Sequence, residues 1–191
     1  MRNIAVFASG SGTNAENIIQ YFSTSNTARV TLVLSNRREA FVLKRAAALK
    51  VKTFFFDRND FYNTGKVLER LKEADTGFIV LAGFLWLVPD DILSEYGNRI
   101  VNIHPALLPS YGGQGMFGDR VHRAVIENGE KESGISIHYV NSRYDSGDII
   151  FQARCKVESD DTPESLAAKV HALEYAHFPR VIDELVSSLP G

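Results

Sequence analysis

Two polar side chains stand two residues apart in the apolar run Ile100–His104. The run is rich in β-forming residues and predicts a buried strand, and Pro105 ends its hydrogen-bond ladder. Side chains alternate across a strand, so Asn102 and His104 are expected on the same side. An amide that donates and an imidazole that can donate or release a proton suit an oxygen that becomes negative when a carbonyl is attacked. An isolated Asn-x-His would indicate turn chemistry, but the rest of the chain favours a catalytic pair.

A carboxylate beside His104 would orient the ring and favour its charged form. The segment Tyr144–Asp148 contains two, Asp145 before a small Ser-Gly turn and Asp148 at the start of the last predicted strand, and spacing alone does not separate them. We interpret His138, inside a predicted strand, as structural rather than catalytic. The glycine-rich segment 111–118 directly follows the Asn/His strand and predicts a mobile flap over the site.

The first predicted strand runs into the segment Gly10–Asn14 and then into a helix. Glycines allow backbone N–H groups to turn toward an anion, and a helix N-terminus adds favourable partial charge, so this loop predicts a phosphate site. It is not a Walker A loop, because no Gly-Lys-Ser/Thr follows. Its glycine spacing also matches the looser dinucleotide fingerprint, and Arg37 and Arg38 after the second strand would suit NADP, so an NADP-dependent reductase remains an alternative.

Composition and charge limit the compartment and the partners. The 191 residues carry a formal charge of −2, which gives no bulk attraction to nucleic acid. Cys155 is the only cysteine, so no intrachain disulfide can form, as is typical of a reducing cytosol. The apolar run Ile4–Ala8 is too short for a signal peptide or a membrane span. These features predict a cytoplasmic protein, and no clustered ligand pattern indicates a metal site.

Apolar β-like runs alternate with longer amphipathic runs along the first half of the chain. Strands are predicted near 3–8, 30–35, 51–56, 77–82 and 100–104, and helices near 13–22, 40–48, 59–74 and 89–96. This alternation predicts an α/β fold with a Rossmann-like, open, mainly parallel twisted sheet that is flanked by helices.

The second half has a different pattern. A helix near Val121–Glu127 precedes two strands, Gly134–Asn141 and Asp148–Val157, which are predicted to form an antiparallel hairpin. Thr162 is expected to cap a final helix that Pro179 kinks or splits. With no linker or repeat, the length predicts one domain over residues 1–191.

Four motifs together resemble the glycinamide ribonucleotide formyltransferases, the folate-dependent transformylases of purine synthesis. In chain order they are Gly10-Ser11-Gly12-Thr13-Asn14, Leu81-Ala82-Gly83-Phe84, Asn102-Ile103-His104-Pro105-Ala106-Leu107-Leu108-Pro109, and Gly134-Ile135-Ser136-Ile137-His138-Tyr139-Val140 with Asp145-Ser146-Gly147. The resemblance implies transfer of a formyl group from 10-formyltetrahydrofolate to the amine of glycinamide ribonucleotide.

The resemblance also implies roles for residues of this chain. The catalytic group would be Asn102, His104 and Asp145, which separates Asp145 from Asp148. The ribonucleotide would bind Gly12, Thr13, Asn14 and Glu174 in the N-terminal phosphate loop and the last helix. The folate would bind the segments Leu85-Trp86-Leu87-Val88 and Asn141–Asp145. The C-terminal half of the domain would then carry both folate binding and catalysis. Trp86 departs from the pattern, since a related enzyme has arginine there, and it is expected either to border the folate cleft or to pack in the core.

The resemblance leaves neighbouring activities to be distinguished. A formyltetrahydrofolate hydrolase shares this kind of catalytic domain but would be expected to carry a regulatory segment before residue 3. A formyltransferase acting on methionyl-tRNA would need a basic surface that this composition lacks. The expected partners are therefore small molecules, without nucleic acid or membrane, and the protein is expected to be a monomer or a homodimer.

Overall fold

One seven-stranded sheet organises the computed structural model, which describes residues 1–190. The strands are β1 Arg2–Phe7, β2 Ala28–Ser35, β3 Lys52–Phe55, β4 Thr76–Leu81, β5 Ile100–His104, β6 Glu132–Tyr139 and β7 Ile149–Lys156. Their order is β3-β2-β1-β4-β5-β6-β7. The first five strands pair in parallel, and β5, β6 and β7 pair antiparallel. The predicted α/β fold with a C-terminal hairpin is confirmed.

Seven helices cover the sheet within residues 1–190. They are α1 Thr13–Phe22, α2 Phe41–Ala48, α3 Arg58–Tyr62, α4 Lys66–Glu73, α5 Asp90–Tyr96, α6 Asp119–Glu127 and α7 Pro163–Ser188, with a 3₁₀ turn at Gly97–Arg99. The prediction of one helix over 59–74 is wrong, because the helical conformation is interrupted between α3 and α4. Gly65 precedes α4 with φ 71°, a left-handed conformation that an α-helix does not contain.

The final helix, α7, is continuous from Pro163 to Ser188. Its start is as predicted: the Thr162 hydroxyl accepts from the Ser165 N–H in a capping box. Pro179 does not split the helix. Pro179 and the neighbouring Phe178 are both buried, and this packing keeps the two parts of the helix in place despite the lost hydrogen bond.

Alternate residues of β1, an interior strand of the sheet, face two separate apolar cores. In β1, Ile4 and Val6 pack in the core beneath α1, α2 and α7, whereas Ala5 and Phe7 pack in the core beneath α3, α4 and α5. A strand that is buried on both faces is typical of a parallel sheet with two helical layers. Within the part of the chain that the structure describes, no helix is both long and apolar enough to cross a bilayer.

Candidate active site

A cavity of about 580 Å³ opens at the carboxyl ends of β1, β4 and β5. This is the edge at which open α/β sheets place their ligands, and the volume suits a small molecule. Its wall is built by the glycine loop after β1, the segment after β4, the polar end of β5, the glycine-rich flap, the turn before β7 and one face of α7. The predicted phosphate loop and the predicted catalytic group therefore face the same cavity.

The loop before α1 is held by its own backbone and by neighbouring polar groups. Gly12 has φ 77°, and a Cβ there would collide with Val42 at the start of α2. The Val42 N–H donates to the Gly10 carbonyl, which fixes the loop against α2. Thr13 opens α1 and Asn14 follows it, and both line the cavity together with Gly12 and Arg37. The geometry can present N–H groups and a helix N-terminus to an anion.

Asn14 and Glu174 meet although 160 residues separate them in the chain. The Asn14 amide donates to the Glu174 carboxylate at 2.8 Å, and Glu174 is only 5% exposed. Burial raises the pKa of Glu174 above its ordinary value, and the Asn14 hydrogen bond and His171 oppose that shift. The Asn14 amide oxygen is buried with no partner in residues 1–190. A ligand with hydroxyl donors would satisfy both acceptors.

Asn102, His104 and Asp145 come together at the other end of the cavity. His104 Nδ1 lies 3.5 Å from Asp145 Oδ2, and Asn102 Nδ2 lies 3.4 Å from Asp145 Oδ1. Asp145 stands in the turn between β6 and β7 with φ 49°, a left-handed conformation that directs its carboxylate back toward β5. Asp148 is exposed on the same turn. The structure thus brings Asp145, and not Asp148, to His104.

The pKa values of Asp145 and His104 both lie below their ordinary values. Burial alone would raise the pKa of Asp145, but the neighbouring His138 and His104 side chains and the Gly113 N–H at 2.9 Å hold that pKa below its ordinary value. Burial lowers the pKa of His104, and the opposing effects of Asp145 and the Tyr111 carbonyl are smaller. Asp145 is therefore an anion at neutral pH. His104 is neutral there, although the sequence suggested that a carboxylate would keep it charged.

Sequence reasoning missed two groups that orient these side chains. The Tyr111 carbonyl accepts from His104 Nε2 at 2.7 Å, so Nε2 carries a hydrogen and Nδ1 is the nitrogen that gains and loses a proton. His138, interpreted as structural from the sequence, lies opposite Asn102 in the β5–β6 pairing. Its Nε2 is 3.0 Å from Asn102 Nδ2 and 3.6 Å from Asp145 Oδ1. Only the antiparallel register, which no local signal specifies, brings these two residues together.

Two further histidines from predicted helices also face the cavity. His122 on α6 and His171 on α7 both line it, and His122 Nδ1 is buried without a partner in residues 1–190. Burial lowers the pKa of His122. Their spacing along the chain gave no signal, because the two helices bring them together only in the folded protein. No group of three or more His, Cys, Asp or Glu in the described residues is placed to hold a metal ion.

The residues proposed from the resemblance to hold folate divide into two sets. Leu85 and Asp145 line the cavity, while Trp86, Leu87, Val88 and Asn141 do not. The Trp86 indole packs among the aromatic rings of Phe56, Phe61, Tyr62 and Phe84. The Asn141 side chain accepts from the Arg143 N–H and the Ser146 hydroxyl and so braces the turn that carries Asp145.

The fold and the cavity are those of an α/β small-molecule enzyme, in which a loop suited to an anion faces side chains suited to activating a carbonyl group. The model of the formyl transferase family matches residues 2–182. The chain belongs to the formyl transferase family, which confirms the resemblance drawn from the motifs.

Named relatives cover nearly all of this chain. It is 35% identical to the phosphoribosylglycinamide formyltransferase of Bacillus subtilis (strain 168), and the match covers 97% of this chain and 95% of that one. It is 34% identical to the chloroplastic phosphoribosylglycinamide formyltransferase of Arabidopsis thaliana over 95% of this chain, but it spans only 64% of that relative's length. The crystal structure of phosphoribosylglycinamide formyltransferase from Anaplasma phagocytophilum superposes with a TM-score of 0.89 at 32% identity, covering 98% of this chain and 87% of that one.

Proposed function

We propose that this protein transfers the formyl group of 10-formyltetrahydrofolate to the amine of glycinamide ribonucleotide. The observation that carries the proposal is the single cavity shared by the loop Gly12–Asn14, Glu174 and the group formed by Asn102, His104 and Asp145. A phosphorylated amine bound at one end can reach a formyl group held at the other. Family membership and the names of the relatives support the same reaction.

The ribonucleotide binds at the end of the cavity formed by Gly12, Thr13, Asn14 and Glu174. The phosphate accepts hydrogen bonds from the loop and the first turn of α1, and Arg37 on the same wall adds a positive charge. Sugar hydroxyls donate to Glu174 and to the unpaired amide oxygen of Asn14. These contacts anchor the molecule and leave its amine free to point toward β5.

The folate binds along the segments Leu85–Val88 and Asn141–Asp145, partly through backbone groups. Two observations fit such a ligand: Phe84 and Leu85 give the cavity an apolar wall, and Tyr144 lies across from them with its hydroxyl 3.5 Å from the Leu85 carbonyl. When bound, the folate supplies an electrophilic formyl carbon. No metal is needed for this reaction, because side chains of the chain can stabilise the charge that develops.

Each catalytic side chain then has one task. As the amine nitrogen bonds to the formyl carbon, an Asn102 N–H donates to the oxygen that becomes negative. His104 Nδ1, which has a free lone pair in the neutral ring, takes the proton that the amine loses. Asp145 stabilises the resulting imidazolium from 3.5 Å, and the same Nδ1 returns the proton to the departing folate nitrogen. The reaction ends with N-formylated ribonucleotide and tetrahydrofolate.

The proposal covers one domain, residues 1–191, whose N-terminal half binds the ribonucleotide and whose C-terminal half carries folate binding and catalysis. We further propose that it works in the cytoplasm, as a monomer or a homodimer, on small molecules alone. The single cysteine, Cys155, is consistent with a reducing compartment.

The decisive assay follows formyl loss from 10-formyltetrahydrofolate with and without glycinamide ribonucleotide. We expect formyl loss only when the ribonucleotide is present, with one N-formyl product for each tetrahydrofolate. Equal release of formate without the ribonucleotide would favour a formyltetrahydrofolate hydrolase. Oxidation of NADPH with reduction of a carbonyl compound would support the reductase alternative instead.

A further inference from the structure

His138 is a buried histidine at the centre of the catalytic group for which the proposed reaction gives no role. It is 2% exposed on β6 and faces Asn102 across the β5–β6 pair. The charged and titratable groups that face it are Asp145, from the turn, and His104, from β5. A histidine enclosed in this way affects catalysis through the hydrogen bonds that it imposes on its neighbours.

The backbone determines which nitrogen of His138 carries the hydrogen. His138 Nδ1 lies 2.8 Å from the carbonyl oxygen of Tyr139. A carbonyl oxygen can only accept, so Nδ1 must donate. In the neutral ring Nε2 is then an acceptor, and the group 3.0 Å away from it on Asn102 must be the amide NH₂ rather than the amide oxygen.

This fixed tautomer controls the direction of the catalytic amide. One hydrogen of the Asn102 NH₂ points to His138 Nε2. The second is directed toward the Asp145 side, where the nearest acceptor, Asp145 Oδ1, is a weak partner at 3.4 Å. The second hydrogen is thus available to an oxygen that becomes negative beside His104. If the amide were turned over, a carbonyl oxygen would face that negative charge and repel it.

We propose that His138 is a positioning residue that holds the Asn102 amide with a hydrogen directed at the reacting oxygen. This inference rests on the proposed function for its catalytic meaning, but the hydrogen-bond arrangement itself is independent of the substrate. Two groups act in series: the Tyr139 backbone carbonyl sets the tautomer of His138, and the His138 ring sets the orientation of the Asn102 amide.

A series of variants tests the role by activity. His138→Leu removes the acceptor and should lower kcat about tenfold to a hundredfold, because a small misplacement of a catalytic group has effects of this size. The KM for the ribonucleotide should stay within about twofold. His138→Gln places a side-chain carbonyl near the former Nε2 position and should restore most of kcat. His177→Gln, on α7 beside Phe151, is the matched control and should behave as the unchanged protein.

Coupling to Asn102 separates positioning from a general structural effect. In an Asn102→Ala background, His138→Leu should change kcat by no more than about twofold, since the amide that it orients is gone. An equal loss in both backgrounds would overturn the proposal, and so would wild-type kcat in His138→Leu.

A measurement without substrate also tests the proposal. It applies even if His138→Leu does not fold, or if the wild-type protein catalyses a different reaction. Nitrogen-15 shifts of the histidine rings in labelled protein, at a pH where the rings are neutral, report which nitrogen is protonated. The signals absent from His138→Gln belong to His138. We expect the Nδ1–H form, and an Nε2–H form would overturn the inference even if formyl transfer were demonstrated. Failure of the folate assay alone would refute only the proposed function.

Discussion

The two ends of the cavity differ in how completely their polar groups are paired. At the carbonyl end, formed by Asn102, His104, His138 and Asp145, the Asp145 carboxylate accepts from the Gly113 N–H and lies 3.4 Å from the Asn102 amide nitrogen, and both imidazoles donate to backbone carbonyls. At the phosphate end, formed by Gly12, Thr13, Asn14 and Glu174, the buried amide oxygen of Asn14 has no partner in the described residues. Burial also raises the pKa of Glu174 there.

This difference matches the proposed division of the cavity into a catalytic end and a recognition end. A group that stabilises a short-lived charge is effective only if it is already oriented, so the carbonyl end is complete before any substrate arrives. A group that recognises a stable ligand can remain unpaired, at a cost of roughly 1–3 kcal/mol per buried atom, and recover that energy on binding. We therefore expect changes at the carbonyl end to act on kcat and changes at the phosphate end to act on KM and on stability.

Asp145→Asn should have the largest effect. Loss of the carboxylate removes the charge that stabilises protonated His104, and kcat should fall by about 10²–10³ while the ribonucleotide KM changes little. Asp148→Asn, exposed on the same turn, is the control and should retain nearly full activity. Steady-state kinetics of the two variants decide the point, and an equal loss at Asp148 would show that the catalytic carboxylate has been assigned to the wrong residue.

Glu174→Gln should raise the ribonucleotide KM by about tenfold or more, because one acceptor oxygen for the sugar hydroxyls is replaced by an NH₂ donor. Its effect on stability depends on pH. Glu174 has a folded-state pKa above its ordinary value of 4.5, so its favourable contribution is full below the unfolded pKa and is lost as the pH rises through the folded pKa.

The glutamine variant does not ionise and keeps an acceptor for Asn14. Its melting temperature relative to the unchanged protein should therefore increase as the pH rises from about 4 toward 8. Glu184→Gln, exposed on the same helix, should show no such trend. A difference in melting temperature between Glu174→Gln and the wild-type protein that stays the same at every pH would contradict a raised pKa for the buried Glu174 carboxyl.

Gly12→Ala should both weaken ribonucleotide binding and lower the free energy of unfolding. The new Cβ would lie 2.6 Å from the Val42 Cα, and the left-handed φ adds strain of about 1–3 kcal/mol. Gly10→Ala is the matched control, since a Cβ there has no neighbour within 4 Å in the described part of the chain. Stability in chemical denaturation should fall only for Gly12→Ala, whose ribonucleotide KM should also rise, and unchanged values there would mean that the loop relaxes freely.

Trp86 lies outside both ends of the cavity, so Trp86→Ala should have the smallest effect on catalysis. The half-buried indole contacts four aromatic rings, so truncation should lower the free energy of unfolding by about 2 kcal/mol, less than for a fully buried tryptophan. The folate KM should change by no more than about twofold. Trp86→Phe retains most of the packing and is the control. A several-fold rise in the folate KM without loss of stability would place the indole in the folate site.

Local sequence signals predicted the elements better than the contacts between them. The alternation of Ile4, Ala5, Val6 and Phe7 between two cores follows directly from the period of a strand, and the Thr162 cap follows from residue type. The break at Gly65 was missed because the apolar pattern of α3 and α4 continues across it.

The candidate site shows the same limit more clearly. Asn102 and His104 share a strand, so their common direction was predictable, but the partner of each comes from a distant segment. His138 reaches Asn102 through the register of β5 and β6, and Asn14 reaches Glu174 across 160 residues. The Tyr111 carbonyl has no signature in the sequence, because every residue has a carbonyl and only the path of the chain gives this one a role.

The use of main-chain carbonyls to orient His104 and His138 has a consequence for how the sequence can change. A substitution at position 111 or 139 keeps the carbonyl, so the tautomer of each histidine does not depend directly on the side chain there. The constraint moves instead to Gly112, where a Cβ would lie 3.2 Å from the Cβ of Asp145 and press also on Leu108. In evolutionary terms, selection for an oriented imidazole acts on the residue that lets the backbone pass and not on the residue that supplies the hydrogen bond.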